Sequence, residues 1–342
     1  MSKKTTMRDV AEYAGVSKAT VSYVLNDVKK VSEETKEKVL QAIKELNYSP
    51  DFTAISLSKK RSMLIGIILP LINESLISVM KENTYYNEML SGIELVARQN
   101  NFDILISGIG KIEEYRNWVQ KRNLDGLLFL GLFPESLYTE MKNIDVPTVL
   151  IDTYEEYTDI YPNVNIKDEL GGYLAVQHLI QLGHRHIAFV GTNNESPVDK
   201  RRFEGYRRAL QEAGISLNDQ LIFEVKDHSF ENGFKIGEKI LKSQEKITAI
   251  FSISDILAIG MISSLHQHQK RVPEDYSIVG FDDISASQYI VPSLTTVKQN
   301  IVYKGQVATD LLIDIIEKRI VKPKKMELDV ELVVRNSTKK VR

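Results

Sequence analysis

Residues Thr6-Met7-Arg8-Asp9-Val10-Ala11-Glu12-Tyr13-Ala14-Gly15-Val16-Ser17-Lys18-Ala19-Thr20-Val21-Ser22-Tyr23-Val24-Leu25-Asn26 compress two short helices and the turn between them. Thr6 is placed to cap the first helix, its hydroxyl accepting an orphan N–H of the opening turn. Gly15 follows that helix directly and supplies a tight turn at low steric cost. Ser17 then caps the second. Val10, Ala11, Ala14, Val16, Val21, Val24 and Leu25 can form one small shared core. A helix-turn-helix of this kind lays its second helix in the major groove of DNA.

The second helix turns Ser17, Lys18, Ala19, Ser22 and Tyr23 away from its valines. Lys18 can donate to guanine acceptors or to phosphate, Ala19 can touch a thymine methyl, and Tyr23 can reach a base edge or a phosphate. The plainer alternative is the exposed face of a protein-binding helical module. A third helix is expected from Ser32, with Glu33 and Glu34 at the positive end of its dipole and Val39, Leu40, Ile43 and Leu46 as its apolar face. Pro50 stops it. Asp51 to Leu57 is short and weakly helical, and Ser58-Lys59-Lys60-Arg61-Ser62 has the polar, basic character of a linker.

Charge is unevenly placed. Residues 1 to 62 hold twelve Lys or Arg against eight Asp or Glu, a net +4, in a chain of 342 residues whose formal charge is −2. A positive module on an acidic body suits a focused anionic partner. The longest apolar run, Met63 to Ile72, is too short for a span of about 20 residues, so no membrane segment is expected. No apolar stretch follows Lys3 and Lys4, so no signal peptide is expected either. The absence of cysteine excludes disulfides and fits a cytoplasmic protein.

Beyond Ser62 short apolar strands alternate with amphipathic helices. Strands are expected near Met63–Leu69, Asp103–Ser107, Gly126–Leu130, Thr148–Ile151, Ile187–Val190, Leu221–Val225, Ala249–Ile253, Ser277–Phe281 and Thr295–Val297. Helices fall between them, among them Tyr86–Gln99, Glu169–Gln181, Arg201–Glu212, Asn232–Leu241 and Asp255–His266. Such alternation implies parallel sheets covered on both faces, with ligands bound beyond the carboxyl ends of the strands. Two sheets fit the length and would enclose a cleft. Gly108-Ile109-Gly110-Lys111 lacks the spacing of a phosphate loop. The histidines show no metal spacing, and no Ser-His-Asp arrangement is visible. No cofactor, no metal and no enzymatic activity are expected.

The run Asp9-Val10-Ala11, Ala14-Gly15-Val16-Ser17 and Thr20-Val21-Ser22 to Asn26 resembles the opening of the lactose-repressor family of bacterial transcription regulators, and the resemblance extends over nearly the whole chain. It implies an α/β two-lobe periplasmic-binding-protein-like domain with an N-terminal all-α helix-turn-helix headpiece. The expected divisions are 1–48 for the headpiece, 49–62 for a hinge helix and linker, and 63–342 for effector binding and dimerisation. The first lobe would take about 63–162 and 295–325, and the second about 163–292 and 326–338. The resemblance assigns DNA contact to Thr6, Ser17, Lys18, Ala19, Thr20, Ser22, Tyr23, Asn26, Ala54 and Leu57. Leu57 matches the hinge leucine that wedges between bases, and Ala54 the small residue that lets paired hinges approach. Many relatives carry Arg where Tyr23 stands, so the base pair read there differs.

Effector contact falls by the same resemblance to Tyr85, Tyr86, Asp168, Arg202, Asp255 and Asp282. Asp255 equally suits a plain helix cap, Asp282 a lobe hinge, and the tyrosines core packing. Relatives usually have Asn before the aspartate, where this chain has Ser254, and Asp where it has Lys167. The implied protein is a homodimeric repressor on a pseudo-palindromic operator, controlled by a small molecule in the cleft. A sugar or sugar derivative is the commonest effector of the family. The alternatives are a nucleobase or a phosphocarrier protein partner.

Overall fold

The computed structural model describes residues 5–25, 28, 30–48, 61–71, 80, 84–154, 160–192, 196–319 and 325–341. Asn26, Ala54 and Leu57, and nearly all of the expected hinge, lie outside the described residues. The chain divides into two compact units, Met1–Ser62 and Met63–Arg342.

The first unit contains α1 (Met7–Ala14), α2 (Lys18–Leu25) and α3 (Glu33–Glu45). Thr6 and Asp9 close a reciprocal capping box on α1, and Gly15 leaves it with φ +66° in the left-handed region. Ser17 Oγ accepts from the Thr20 N–H at 3.1 Å and opens α2. Ser32 does the same for α3. Val10, Ala11, Val21, Val24, Val39, Ala42 and Tyr48 are buried together. Leu40, expected on the apolar face of α3, is instead 49% exposed. The helical stripe runs 39, 42, 43, 46, and Leu40 falls one residue, about 100°, off it.

The second unit holds two six-stranded sheets. The first contains β1 (Leu64–Pro70), β2 (Asp103–Ile109), β3 (Gly126–Leu130), β4 (Thr148–Ile151), β5 (Asn163–Ile166) and β11 (Lys325–Leu328), in the order β11-β5-β4-β3-β1-β2. The second contains β6 (Ile187–Gly191), β7 (Ile222–Glu224), β8 (Ala249–Ser252), β9 (Ser277–Asp282), β10 (Thr295–Lys298) and β12 (Glu331–Val333), in the order β12-β10-β9-β8-β6-β7. Every pairing is parallel except β10 with β12. Strands such as β3, Gly-Leu-Leu-Phe-Leu, are buried throughout because helices cover both faces.

The first sheet is flanked by α4 (Thr84–Gln99), α5 (Ile112–Arg122), α6 (Glu135–Met141) and a late helix α12 (Ile301–Ile316). The second is flanked by α7 (Asp168–Gln181), α8 (Pro197–Glu212), α9 (Phe230–Lys242) and α10 (Asp255–Gln267), with a short α11 (Ala286–Tyr289) beyond β9. Three helix pairs cross through glycines. A Cβ on Gly172 of α7 would sit 2.2 Å from the Arg202 carbonyl oxygen of α8, and one on Gly205 2.1 Å from that of Glu169. Gly233 and Gly260 repeat the arrangement between α9 and α10, as Gly92 and Gly305 do between α4 and α12.

The lobe limits differ from those expected. Thr295–Lys298 pairs with β9, so it belongs to the second lobe. Lys325–Leu328 pairs with β5 and belongs to the first. The chain therefore crosses between lobes after Ile166, after Lys298 and after Leu328. Strand β5 itself escaped the sequence reading, because Asn-Val-Asn-Ile looks like a loop. Its Asn165 amide is spent on the backbone of Thr153, accepting at 3.1 Å and donating at 2.8 Å.

Candidate functional site

In the first unit α2 leaves Ser17, Lys18, Ala19 and Tyr23 exposed, with Thr20 and Ser22 half-buried beside them. Thr6 is exposed at the start of α1. The Thr20 hydroxyl is engaged with Ser17 Oγ at 2.9 Å, and Lys18, Ala19 and Tyr23 form the outward surface of the helix. The Lys30 ammonium lies 5.9 Å from the centre of the Tyr23 ring.

In the second unit the strand ends converge on a cavity of about 350 Å³ between the lobes. The first lobe lines it with Pro70, Tyr85, Tyr86 and Asp152, the second with Asp199, Arg202, Asp227, His228, Ser254 and Asp282. Gln299, on the second crossover, lies at its edge. Asp152 directly follows β4 with φ 60°, and Asp282 ends β9 with φ 117°. Such backbone strain in non-glycine residues gathers at ligand-facing sites.

Arg202 is the centre of this arrangement. It is buried, with its Nε donating to Asp168 Oδ1 at 2.7 Å and Nη1 to the Ile253 carbonyl at 2.6 Å. Its guanidinium lies 3.6 Å from the centre of the Phe281 ring and its Nη1 3.5 Å from Asp282 Oδ1. Burial alone would lower its pKa, but Asp168, Asp282 and Asp199 outweigh that and raise it. Burial raises the Asp282 carboxyl to about 6 against the pull of Arg202, His228, Gln299 and Lys304. Across the cavity Tyr85 donates to Asp152, and Tyr85 and Tyr86 meet edge to face at 5.4 Å. Burial and the neighbouring Asp152 raise both phenols.

Two expected effector residues stand elsewhere. Asp168 lies behind Arg202, 1% exposed, accepting from Arg202 and Tyr154. Asp255 is wholly buried and accepts from the Ile284 N–H, the Ser287 hydroxyl and the Thr296 hydroxyl. Burial and then the nearby Asp282 push its carboxyl well up. Neither lines the cavity, and Asp255 does not cap its helix, where Ser254 holds the cap position. Lys167 is turned to Asp329, at 2.6 Å.

Several charged or polar residues of the cavity were missed, among them Asp152, Asp199, Asp227 and His228. Asp152 follows β4, Asp199 lies in the first turn of α8, and Asp227 and His228 are neighbours in the loop before α9, so local sequence does not bring these segments together. Among the described residues no group of His, Cys, Asp and Glu could hold a metal, and no helix is long and apolar enough to cross a membrane.

A helix-turn-helix unit joined to a two-lobe α/β unit of this topology defines a DNA-binding transcriptional regulator rather than an enzyme. Residues 6–51 match the family model of bacterial regulatory proteins, lacI family, and residues 176–338 a periplasmic binding protein-like domain. The chain is 36% identical to a ribose operon repressor of Halalkalibacterium halodurans, over 98% of this chain and 97% of that one. It resembles the lac repressor dimer bound to operator and the anti-inducer ONPF with a TM-score of 0.82 at 29% identity, covering 98% of this chain and all of the other. A transcriptional regulator CelR–cellobiose complex aligns with a TM-score of 0.73 at 28% identity, over 98% and 100% of the two chains. The chain belongs to the lacI family of bacterial regulatory proteins.

Proposed function

We propose that the chain is a repressor that binds a pseudo-palindromic operator as a homodimer and responds to a small molecule in the interlobe cavity. The observation that carries the ligand half is Arg202, buried yet lining the cavity, held by Asp168 and Phe281 so that its remaining donor capacity meets a ligand in a fixed orientation. The exposed Lys18, Ala19 and Tyr23 of α2, with half-buried Ser22 beside them, support the DNA half, and Thr6, Ser17 and Thr20 fix the helix ends. A sugar or sugar derivative is the effector class this reading favours. Tyr85 and Tyr86 offer an apolar wall for a ring, and the opposite wall is polar, as sugar hydroxyls require. A two-fold dimer explains a two-fold operator. The ligand must bind the two lobe arrangements unequally, since equal affinity shifts nothing.

The test is a thermal-shift and operator-binding screen of the full chain against sugars, sugar phosphates and nucleobases. A ligand at 100 times its Kd adds about 2.7 kcal/mol of stability. A shift that disappears in Arg202→Ala and that changes operator affinity in the wild type is the expected result. No shift from any small molecule, with operator affinity altered by a phosphocarrier protein, would transfer control to that partner.

A further inference from the structure

Tyr154 belongs to the first lobe, in the loop between β4 and β5, yet it reaches the second. Its hydroxyl spans the first crossover. It donates to the carboxylate of Asp168, the first residue of α7, and lies 2.7 Å from the carbonyl oxygen of Ile166, the last residue of β5. Asp168 in turn accepts from Arg202 Nε at 2.7 Å. The Tyr154 ring carries the guanidinium of Arg201, which lies 4.2 Å from its centre. One side chain of the first lobe thus engages two adjacent arginines of α8, one through a carboxylate and one by its face.

The first contact is the stronger. Burial and the neighbouring Asp168 raise the Tyr154 phenol, so it stays protonated and can donate. Arg201 is exposed and makes no ion pair or hydrogen bond among the described residues, so the ring is its tie to the first lobe. Beside the pair is a second cavity of about 300 Å³, lined by Tyr154 and Arg201 with Asn163 and Asn165 of β5 and Met326 of β11. The arginine therefore has space to leave the ring. At the second crossover Gln299 donates to Asp282 of the second lobe and accepts from Lys304 of the first at 2.6 Å. At the third, Lys167 meets Asp329 at 2.6 Å, but both side chains are exposed and such a pair contributes little.

We infer that Tyr154 is an interlobe latch: its hydroxyl and ring hold the two lobes at one angle across the first crossover and, through Asp168, hold Arg202 in its orientation. The consequence for a ligand rests on the reading of the cleft proposed above, whereas the latch itself does not. A hydrogen-bonded chain that runs from one lobe to the other gives each lobe angle its own arginine geometry.

The experiment is a spin-label distance measurement on the full, ligand-free chain. The sequence has no cysteine, so Glu113→Cys on α5 and Lys239→Cys on α9, both exposed, place one label on each lobe. Dilution with excess unlabelled chain isolates the distance within one chain. The wild type gives one interlobe distance. Tyr154→Phe keeps the ring and multiplies the population of a second distance by about 10- to 150-fold, the range for a hydrogen bond to a charged group. Arg201→Gln multiplies it by about 2- to 5-fold, the range for an exposed cation–π contact. Thermal melting of each variant checks the fold, and should Tyr154→Phe misfold, Arg201→Gln carries the test. A distribution for Tyr154→Phe identical to the wild type overturns the latch, since a tyrosine that only packs loses nothing while its ring is kept. The Nε–H resonance of Arg202, identified by its loss in Arg202→Ala, reads the relay. It exchanges with solvent about 10- to 150-fold faster in Tyr154→Phe. A second interlobe distance with unchanged exchange overturns the relay to Arg202 and keeps the latch. Neither measurement uses a ligand, so failure here leaves the cleft reading to its own screen.

Discussion

Replacing Lys304 with Met tests whether the ion pair under the cleft is dry. Lys304 is fully buried, its ammonium 2.7 Å from Asp152 Oδ1 and 2.6 Å from Gln299 Oε1. At 2.7 Å and an effective dielectric of about 20, the gross attraction of such a pair is about 6 kcal/mol, and desolvation of both charges offsets much of it. Met fills nearly the same space but leaves Asp152 with Tyr85 and no cation. Removing one partner of a buried pair costs about 3–5 kcal/mol. In a body of this size that lowers Tm by about 6–10 °C. The double variant Lys304→Met/Asp152→Asn removes both charges, so it is expected to lose less than Lys304→Met alone. Equilibrium urea unfolding of wild type, both single variants and the double variant measures the coupling. A loss below about 1 kcal/mol, or strict additivity, would show that the pair is solvated and that the argument is wrong.

Three further outcomes are expected. Gly172→Ala forces a methyl to within 2.2 Å of the Arg202 carbonyl oxygen, so α7 and α8 must separate; circular dichroism melting is expected to show a loss of more than about 3 kcal/mol, or no folded protein. Thr6→Ala removes the α1 cap, and the isolated 1–62 fragment is expected to lose about 0.5–2 kcal/mol in thermal melts. For Asp282 the folded pKa, about 6, lies above the unfolded one, so the stability it contributes is full below the unfolded value and is lost as pH rises through about 6. Asp282→Asn is therefore expected to stabilise the chain by roughly 1–3 kcal/mol at pH 8 and hardly at all at pH 4. Urea midpoints at the two pH values compare them.

The headpiece was open to sequence reading because its determinants are local. Thr6, Gly15, Ser17 and Ser32 act within one turn of where they stand, and each does so in the structure. The alternation of strands and helices was equally plain, since both faces of each sheet are covered. Strand β5 was missed because Asn-Val-Asn-Ile reads as a loop, and its Asn165 amide is spent on the backbone of Thr153. The lobe membership of β10 and β11 depends on which edge each strand finds, a long-range property that periodicity does not carry. In the cavity Arg202 and Asp282 were found by resemblance. Asp199, His228 and Asp152 share no sequence neighbourhood and meet only through the sheet ends. Asp168 and Asp255 stand behind the cavity wall, because residue type does not reveal whether a carboxylate faces a cavity or supports a neighbouring side chain.

The glycine crossings have a mechanical consequence. Gly92 and Gly305 seat α12 on α4 backbone to backbone, so these two helices cannot slide past each other without collision. Helix α12 starts immediately beyond the second crossover, where Asn300 caps it with φ 45°, and the first turn of α4 carries Tyr85 and Tyr86. The two helices thus form one stiff lever. It joins the Gln299–Asn300 junction at one end to the aromatic wall of the cavity at the other, with backbone-to-backbone packing in the layer between.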